Sequence, residues 1–168
     1  EIENKNNMMI KTNTPRQADS VAETLHIGQR DKGGNDYIMH PRQVAVIVKE
    51  MYPSQATDDD VMVALLHDVI EDCDITALTL IKLGFSNTVV DAVVAITKIK
   101  KPVYEEYTNY MCRVMSNPIA LRVKIADMTH NMDLTRIEEP TAHDLKRQEK
   151  YTTWIDILKE NAGQIDYE

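Results

Sequence analysis

The chain has 168 residues, a formal net charge of -8 and a pI near 5.1, enough to bury one core and too acidic for nonspecific nucleic-acid binding, which needs a basic surface. Hydrophobic residues make up 43% and charged residues 27%, and with five glycines, one phenylalanine and little strand-like alternation the composition points to an all-α fold in a single domain. No run of about 18 apolar residues is present, which excludes a membrane-spanning helix, and no signal peptide opens the sequence.

Residues 1–14 read as a polar, Asn-rich tail, and residues 15–168 as the folded domain. Thr14-Pro15 opens a helix, since a proline in the first turn gives up no bond there. That helix runs from about Arg16 to His26, with Ala18, Val21, Ala22 and Leu25 facing inward. Gly28 to Asp36, GQRDKGGND, is the most glycine-rich stretch and reads as a loop. It carries Arg30 and Lys32, and its paired glycines let a backbone approach a ligand closely. A plain connecting loop is the alternative. In Tyr37 to Pro41 the residue before proline favours an extended backbone, so His40 is expected to be extended and a helix to start at Pro41 and continue to Met51. A histidine at a helix entry projects from a fixed backbone, as a metal ligand or as a local hydrogen-bonding group.

Thr57 caps the next helix, and Asp58, Asp59 and Asp60 suit its positive end. The stretch from Val61 to Asp74, VMVALLHDVIEDCD, starts as core and ends in acids. On a continuous helix His67 and Glu71 lie one turn apart, as do Asp68 and Asp72, so four polar groups point in adjacent directions. Carboxylates at a helix C-terminus are unfavourable, and an imidazole among them suggests a divalent metal ion. The competing reading is a surface His-Asp pair or a buried histidine bonded to its neighbour. Thr76 to Leu83 form a short helix stopped by Gly84, and Ser86 opens another through Ile96. The basic run from Lys98 to Lys101 suits that helix's C-terminus better than a phosphate. Val103 to Met115 is expected to be a helix bearing Tyr104, Tyr107 and Tyr110. Asn117-Pro118 opens a further one, IALRVKIADMTHNMDL. Asp127 there sits in apolar surroundings and needs a partner, either Lys124 or Asn131, or a metal shared with His67 and Asp68. Arg136 to Pro140 form a loop, and Thr141 begins a long last helix expected to add Arg147 or Tyr151 to a cleft rim. Six to eight helices are expected in all. Cys73 and Cys112 lack metal-pair spacing and read as reduced thiols of a cytoplasmic protein.

The segments YIMHPRQVA, ALLHDVIEDCDIT, AITK and VKIADMTHNM, in that order, resemble the HD-domain metal-dependent phosphohydrolases. More narrowly they resemble the hydrolase domain of RelA/SpoT-type enzymes and the stand-alone small alarmone hydrolases. By this resemblance His40, His67, Asp68 and Asp127 are the metal ligands, and the family's usual ion is manganese, with other divalent transition metals suited to the same donors. Glu71 and Asp72 match the acidic pair that works on the nucleophilic water, and Asn131 an asparagine of the nucleotide site. The implied reaction is removal of the 3′-pyrophosphate of guanosine tetra- or pentaphosphate, leaving GDP or GTP. Arg30 and Lys32, with Arg136 behind them, are candidates to neutralise the pyrophosphate. The expected partner is a small nucleotide, with no nucleic acid and no membrane, and homo-oligomerisation is left open.

The chain departs from the family at two places. Asp31-Lys32-Gly33-Gly34 occupies the register of Arg-Lys-Ser-Gly, and Asp133-Leu134 stands where Arg-Thr usually follows HNM. Both bear on base and phosphate recognition. They keep open a hydrolase of another nucleotide, such as an adenosine alarmone, a nicotinamide dinucleotide phosphate or a nucleoside monophosphate. A non-catalytic nucleotide sensor is the other rival. No synthetase domain is expected within these 168 residues.

Overall fold

The computed structural model describes residues 12–100 and 102–165, with side chains through 162. The expected tail lies almost wholly outside the described residues. Among them the chain is helical, with no strand and one isolated bridge between Arg30 and Asp36. The helices are α1 Pro15–Leu25, α2 Met39–Met51, α3 Asp58–Leu66, the single turn α4 Val69–Asp72, α5 Ala77–Lys82, α6 Asn87–Ile96, α7 Tyr107–Met115, α8 Pro118–Asn131 and α9 Ala142–Ile165. Not counting the one-turn α4, that is eight helices. The helix expected through Leu134 stops at Asn131, and a 3₁₀ turn, Leu134–Arg136, links α8 to α9. No described helix is long and apolar enough to cross a membrane.

The centre of the bundle is α3. Its Met62, Val63, Ala64, Leu65 and Leu66 are all buried, so it is apolar on every side and packs against α1, α2, α6 and α8. The helix starts are local. Thr14, Ser86 and Asn117 each accept a first-turn backbone N–H, from Gln17, Val89 and both Ile119 and Ala120 respectively. Thr57 and Asp60 form a reciprocal capping box, and Gly84 sits at φ +90 to end the turn after α5.

Asp60 is fully buried and accepts a 2.7 Å bond from Arg122 Nε on α8 as well as the Thr57 backbone N–H. The acid run is structural at this position. Removing one partner of a buried ion pair strands the other charge, so Arg122→Ala should cost about 3 kcal/mol of stability. Urea unfolding measures this, and a loss below about 1 kcal/mol would mean that Thr57 alone satisfies Asp60.

Three further helix boundaries differ from the sequence expectation. α2 begins at Met39, and His40 is helical rather than extended. The backbone N–H groups of Met39 and His40 donate to Asp36 and Tyr37 in a tight turn that leads into the helix. Pro41 falls in the first turn, where its missing N–H has no partner to lose. α7 begins at Tyr107 rather than Val103, because residues before it form a loop bonded at Glu105 N to Ile99 O. The expected single helix through residues 61–74 is broken: α3 ends at Leu66, and only one turn, α4, resumes at Val69.

Candidate metal centre and substrate cleft

The break after α3 is what shapes the site. His67 caps α3, and its Nδ1 donates to Ala64 O at 2.7 Å. In the neutral ring that bond fixes the hydrogen on Nδ1 and leaves the lone pair on Nε2. The ring is 3% exposed, and Nε2 has no hydrogen-bond partner. A buried, unpartnered imidazole nitrogen of this kind is the arrangement of a metal-ligating histidine. Asp68, swung out of the helical path, receives the Tyr37 hydroxyl at 2.5 Å on Oδ2. The same oxygen lies 2.9 Å from His67 Nε2 and 3.8 Å from His40 Nε2.

Asp127 comes from the middle of α8 and is buried. Its Oδ1 lies 3.1 Å from His40 Nε2 and 3.7 Å from His67 Nε2, and accepts from Asn131 Nδ2 at 2.7 Å. Its Oδ2 accepts from Lys124 Nζ at 2.7 Å. Both local partners foreseen for Asp127 are therefore present, together with the two imidazoles. Ligand atoms of His40, His67 and Asp127 all lie within 4.8 Å of one another. Burial opposes the charge on Asp127, but Lys124 and the imidazoles hold its pKa well below the usual carboxylate range. Burial likewise opposes a charged His67, and the neighbouring Asp68 and Asp127 carboxylates nonetheless raise its pKa, favouring on Nε2 a positive charge that a bound cation would replace.

His130, not singled out from the sequence, orients His40. The two Nδ1 atoms are 2.7 Å apart and the rings stack at 5.0 Å. Burial, with Arg136 and the His40 ring close by, pushes the His130 pKa down to about 4, so at neutral pH it is uncharged. Arg136 Nη1 also points at its Nδ1 from 3.3 Å. His130 Nδ1 is thus an acceptor, His40 Nδ1 carries the hydrogen, and the His40 Nε2 lone pair faces the two carboxylates. Two bare imidazole nitrogens and two carboxylates, with Lys124 as the adjacent ammonium, fit a borderline divalent transition ion.

Glu71 and Asp72 sit side by side on α4. Lys100 Nζ lies 2.9 Å from Glu71 Oε1 and 3.6 Å from Asp72 Oδ1, and the Lys98 backbone N–H donates to Glu71 Oε2. The basic run after α6 therefore serves the acid pair through Lys100, beyond any effect on the helix dipole. Burial, followed by the charges of Asp68 and Glu71, raises the pKa of Asp72. Hydrogen bonding to Glu71 raises that of Lys100.

A cavity of about 230 Å³ opens beside His40, lined by Arg30, Lys32, Tyr37, Asn131, Arg136 and Arg147 among others. All four residues marked from the sequence for substrate contact are in that wall. Each basic group there already has a partner. Arg30 pairs with Asp36 at the exposed rim, Lys32 with buried Asp144, and Arg136 with Asp31 at 2.8 Å. Asp31, in the family's basic register, thus braces Arg136. Asp133 accepts from Thr135 N in the 3₁₀ turn. A Cβ on Gly33 would lie 2.6 Å from Arg136 O, which explains a glycine at that position.

Comparison with known proteins shows the family. A family model described as HD domain matches residues 18–157. The bifunctional (p)ppGpp synthase/hydrolase SpoT of Escherichia coli K12 is 37% identical over 141 residues, covering 75% of this chain and 20% of that protein. A GTP pyrophosphokinase of Streptomyces coelicolor is 32% identical over 153 residues, covering 86% of this chain and 18% of that protein. The chain spans about a fifth of the length of these relatives. Among solved structures, a metazoan ortholog of SpoT that hydrolyzes ppGpp superposes with a TM-score of 0.68 at 25% identity, covering 88% of this chain and 84% of that one.

Proposed function

This chain belongs to the HD-domain family, and on that premise we propose that it hydrolyses the 3′-pyrophosphate of ppGpp or pppGpp, giving GDP or GTP and pyrophosphate. The observation that carries the reading is the buried His67 Nε2 with no partner, facing two carboxylates one turn from an acid pair. His40, His67, Asp68 and Asp127 are the proposed ligands, and manganese the proposed ion. Bound there, it would supply Lewis acidity to the phosphoryl group and to the attacking water.

The chain's own groups do the rest. Glu71 and Asp72 accept the proton of the water as its oxygen bonds to the phosphorus attached to ribose O3′. The P–O3′ bond breaks, O3′ takes up a proton, and pyrophosphate departs with the new oxygen. Tyr37 and Asn131 hold Asp68 and Asp127 in place through their hydrogen bonds. Arg30, Lys32 and Arg136 offset the negative charge of the bound nucleotide from the cavity wall.

Incubation with ppGpp and manganese, followed by separation of products, tests the assignment. GDP with pyrophosphate is expected. Inorganic phosphate from another nucleotide in a substrate panel would instead identify a phosphohydrolase of different specificity, and calorimetric binding without turnover would identify a sensor. His130 gives a test of the metal site. His130→Phe keeps the stack on His40 but removes the acceptor, and should weaken manganese affinity by about 10- to 100-fold. Unchanged affinity would show that His40 is oriented without it.

A further inference from the structure

Outside the cavity, a second basic cluster adjoins the same centre. Lys98 Nζ lies 5.6 Å and Lys150 Nζ 3.2 Å from the centroid of the Tyr107 ring, so two ammonium groups share one aromatic ring. Two contacts tie the cluster to the reacting groups. The Lys98 backbone N–H holds Glu71, while Lys124, bonded to Asp127, lies over Tyr110, whose ring meets Tyr107 at 5.9 Å. Along α9, Lys150 is one turn beyond Arg147, which lines the cavity.

The charge balance here is one-sided. The nearby carboxylates already have cations: Glu71 and Asp72 have Lys100, Glu105 has Arg113, and Asp127 has Lys124. Among the described residues neither Lys98 nor Lys150 has a carboxylate within ion-pairing distance. Burial and the charges of Lys98 and Lys124 lower the Lys150 pKa. The face of Tyr107 offsets part of this repulsion. An anion between the two ammonium groups would offset the rest.

We propose that Lys98 and Lys150, held over Tyr107, form the subsite for the terminal phosphate of the pyrophosphoryl group, so that the site distinguishes a pyrophosphate from a monophosphate. The inference rests on the pyrophosphohydrolase reading and assigns the two ends of the substrate. The nucleoside end occupies the cavity by Arg30, Arg136 and Arg147, and the transferred end reaches the lysine pair.

The experiment titrates inorganic pyrophosphate, orthophosphate and GDP into the manganese-loaded protein, by calorimetry and by emission of Trp154. This is the sole tryptophan, and it meets Tyr107 edge-on at 5.6 Å. Pyrophosphate should give a saturable Trp154 response. Lys98→Met and Lys150→Met, which keep the apolar stem and lose the charge, should each weaken pyrophosphate by about tenfold or more. GDP binding should stay as in the wild type, and Lys150→Arg should restore pyrophosphate binding. Wild-type affinity for pyrophosphate in both Met variants, or an equal loss for pyrophosphate and orthophosphate, would overturn the subsite. Binding is read without turnover, so the two assignments fail separately. Pyrophosphate held by the lysine pair in a protein that leaves ppGpp intact would sink the reaction. Hydrolysis of ppGpp with an unchanged KM in Lys150→Met would sink the subsite.

Discussion

Asp68→Ala should lower ppGpp turnover by about 10³-fold or more and leave the purified protein without stoichiometric metal, while its helical content is retained. Asp68 is one of two carboxylates facing the two imidazole Nε2 atoms, and its Oδ2 lies nearer His67 Nε2 than Asp127 Oδ1 does. Without it the site loses a formal negative charge and one donor. Loss of Lewis acidity at the reacting phosphorus removes several kcal/mol of transition-state stabilisation, which is the origin of the expected factor. The fold should survive, because Asp68 lies in the break between α3 and α4 and is not part of the hydrophobic core. The cost falls on the Tyr37 hydroxyl, which loses its acceptor, about 1–3 kcal/mol. Metal content by mass spectrometry, circular dichroism and turnover together decide the matter. Full activity in excess chelator would refute the metal assignment.

Asp72→Asn should lower kcat by about 10²- to 10⁴-fold with metal content unchanged, and Glu71→Gln should cost less. The asymmetry follows from the neighbours of the two acids. Glu71 is held at both oxygens, by Lys100 and by the Lys98 backbone N–H, and its carboxylate is largely committed to that clamp. Asp72 meets Lys100 only at 3.6 Å and is held less tightly, and burial with the charges of Asp68 and Glu71 raises its pKa. Steady-state kinetics on the two variants, with manganese content measured in each, test the assignment. A larger loss for Glu71→Gln would move the proton-accepting role to Glu71 and make Asp72 the supporting charge.

The helix starts were open to sequence reading because their causes are local. Thr14-Pro15, Thr57 with three aspartates, Ser86 and Asn117-Pro118 each carry the cap that the structure uses. The four proposed ligands were marked by motif and by the oddity of acids and imidazoles in apolar helices, and the fold brings them together. The break at His67 and Asp68 was not legible. No glycine or proline announces it, and the bonds that accompany it include one from Tyr37, on a distant segment. The start of α2 was misplaced for a similar reason, since the turn at Asp36 and Tyr37 overrides the extended preference of a residue before proline. Lys124 was seen only as an alternative partner for Asp127, whereas it serves alongside the imidazoles. His130, Lys100 and the Lys98–Lys150 pair act through contacts between separate elements, and spacing along one helix does not reveal those.

The most direct measurement is anomalous diffraction from a crystal of the protein grown or soaked with manganese. The account predicts one strong peak touched by Nε2 of His40, Nε2 of His67 and the carboxylates of Asp68 and Asp127. A peak elsewhere, or no peak while these four side chains bond only to one another, would contradict it.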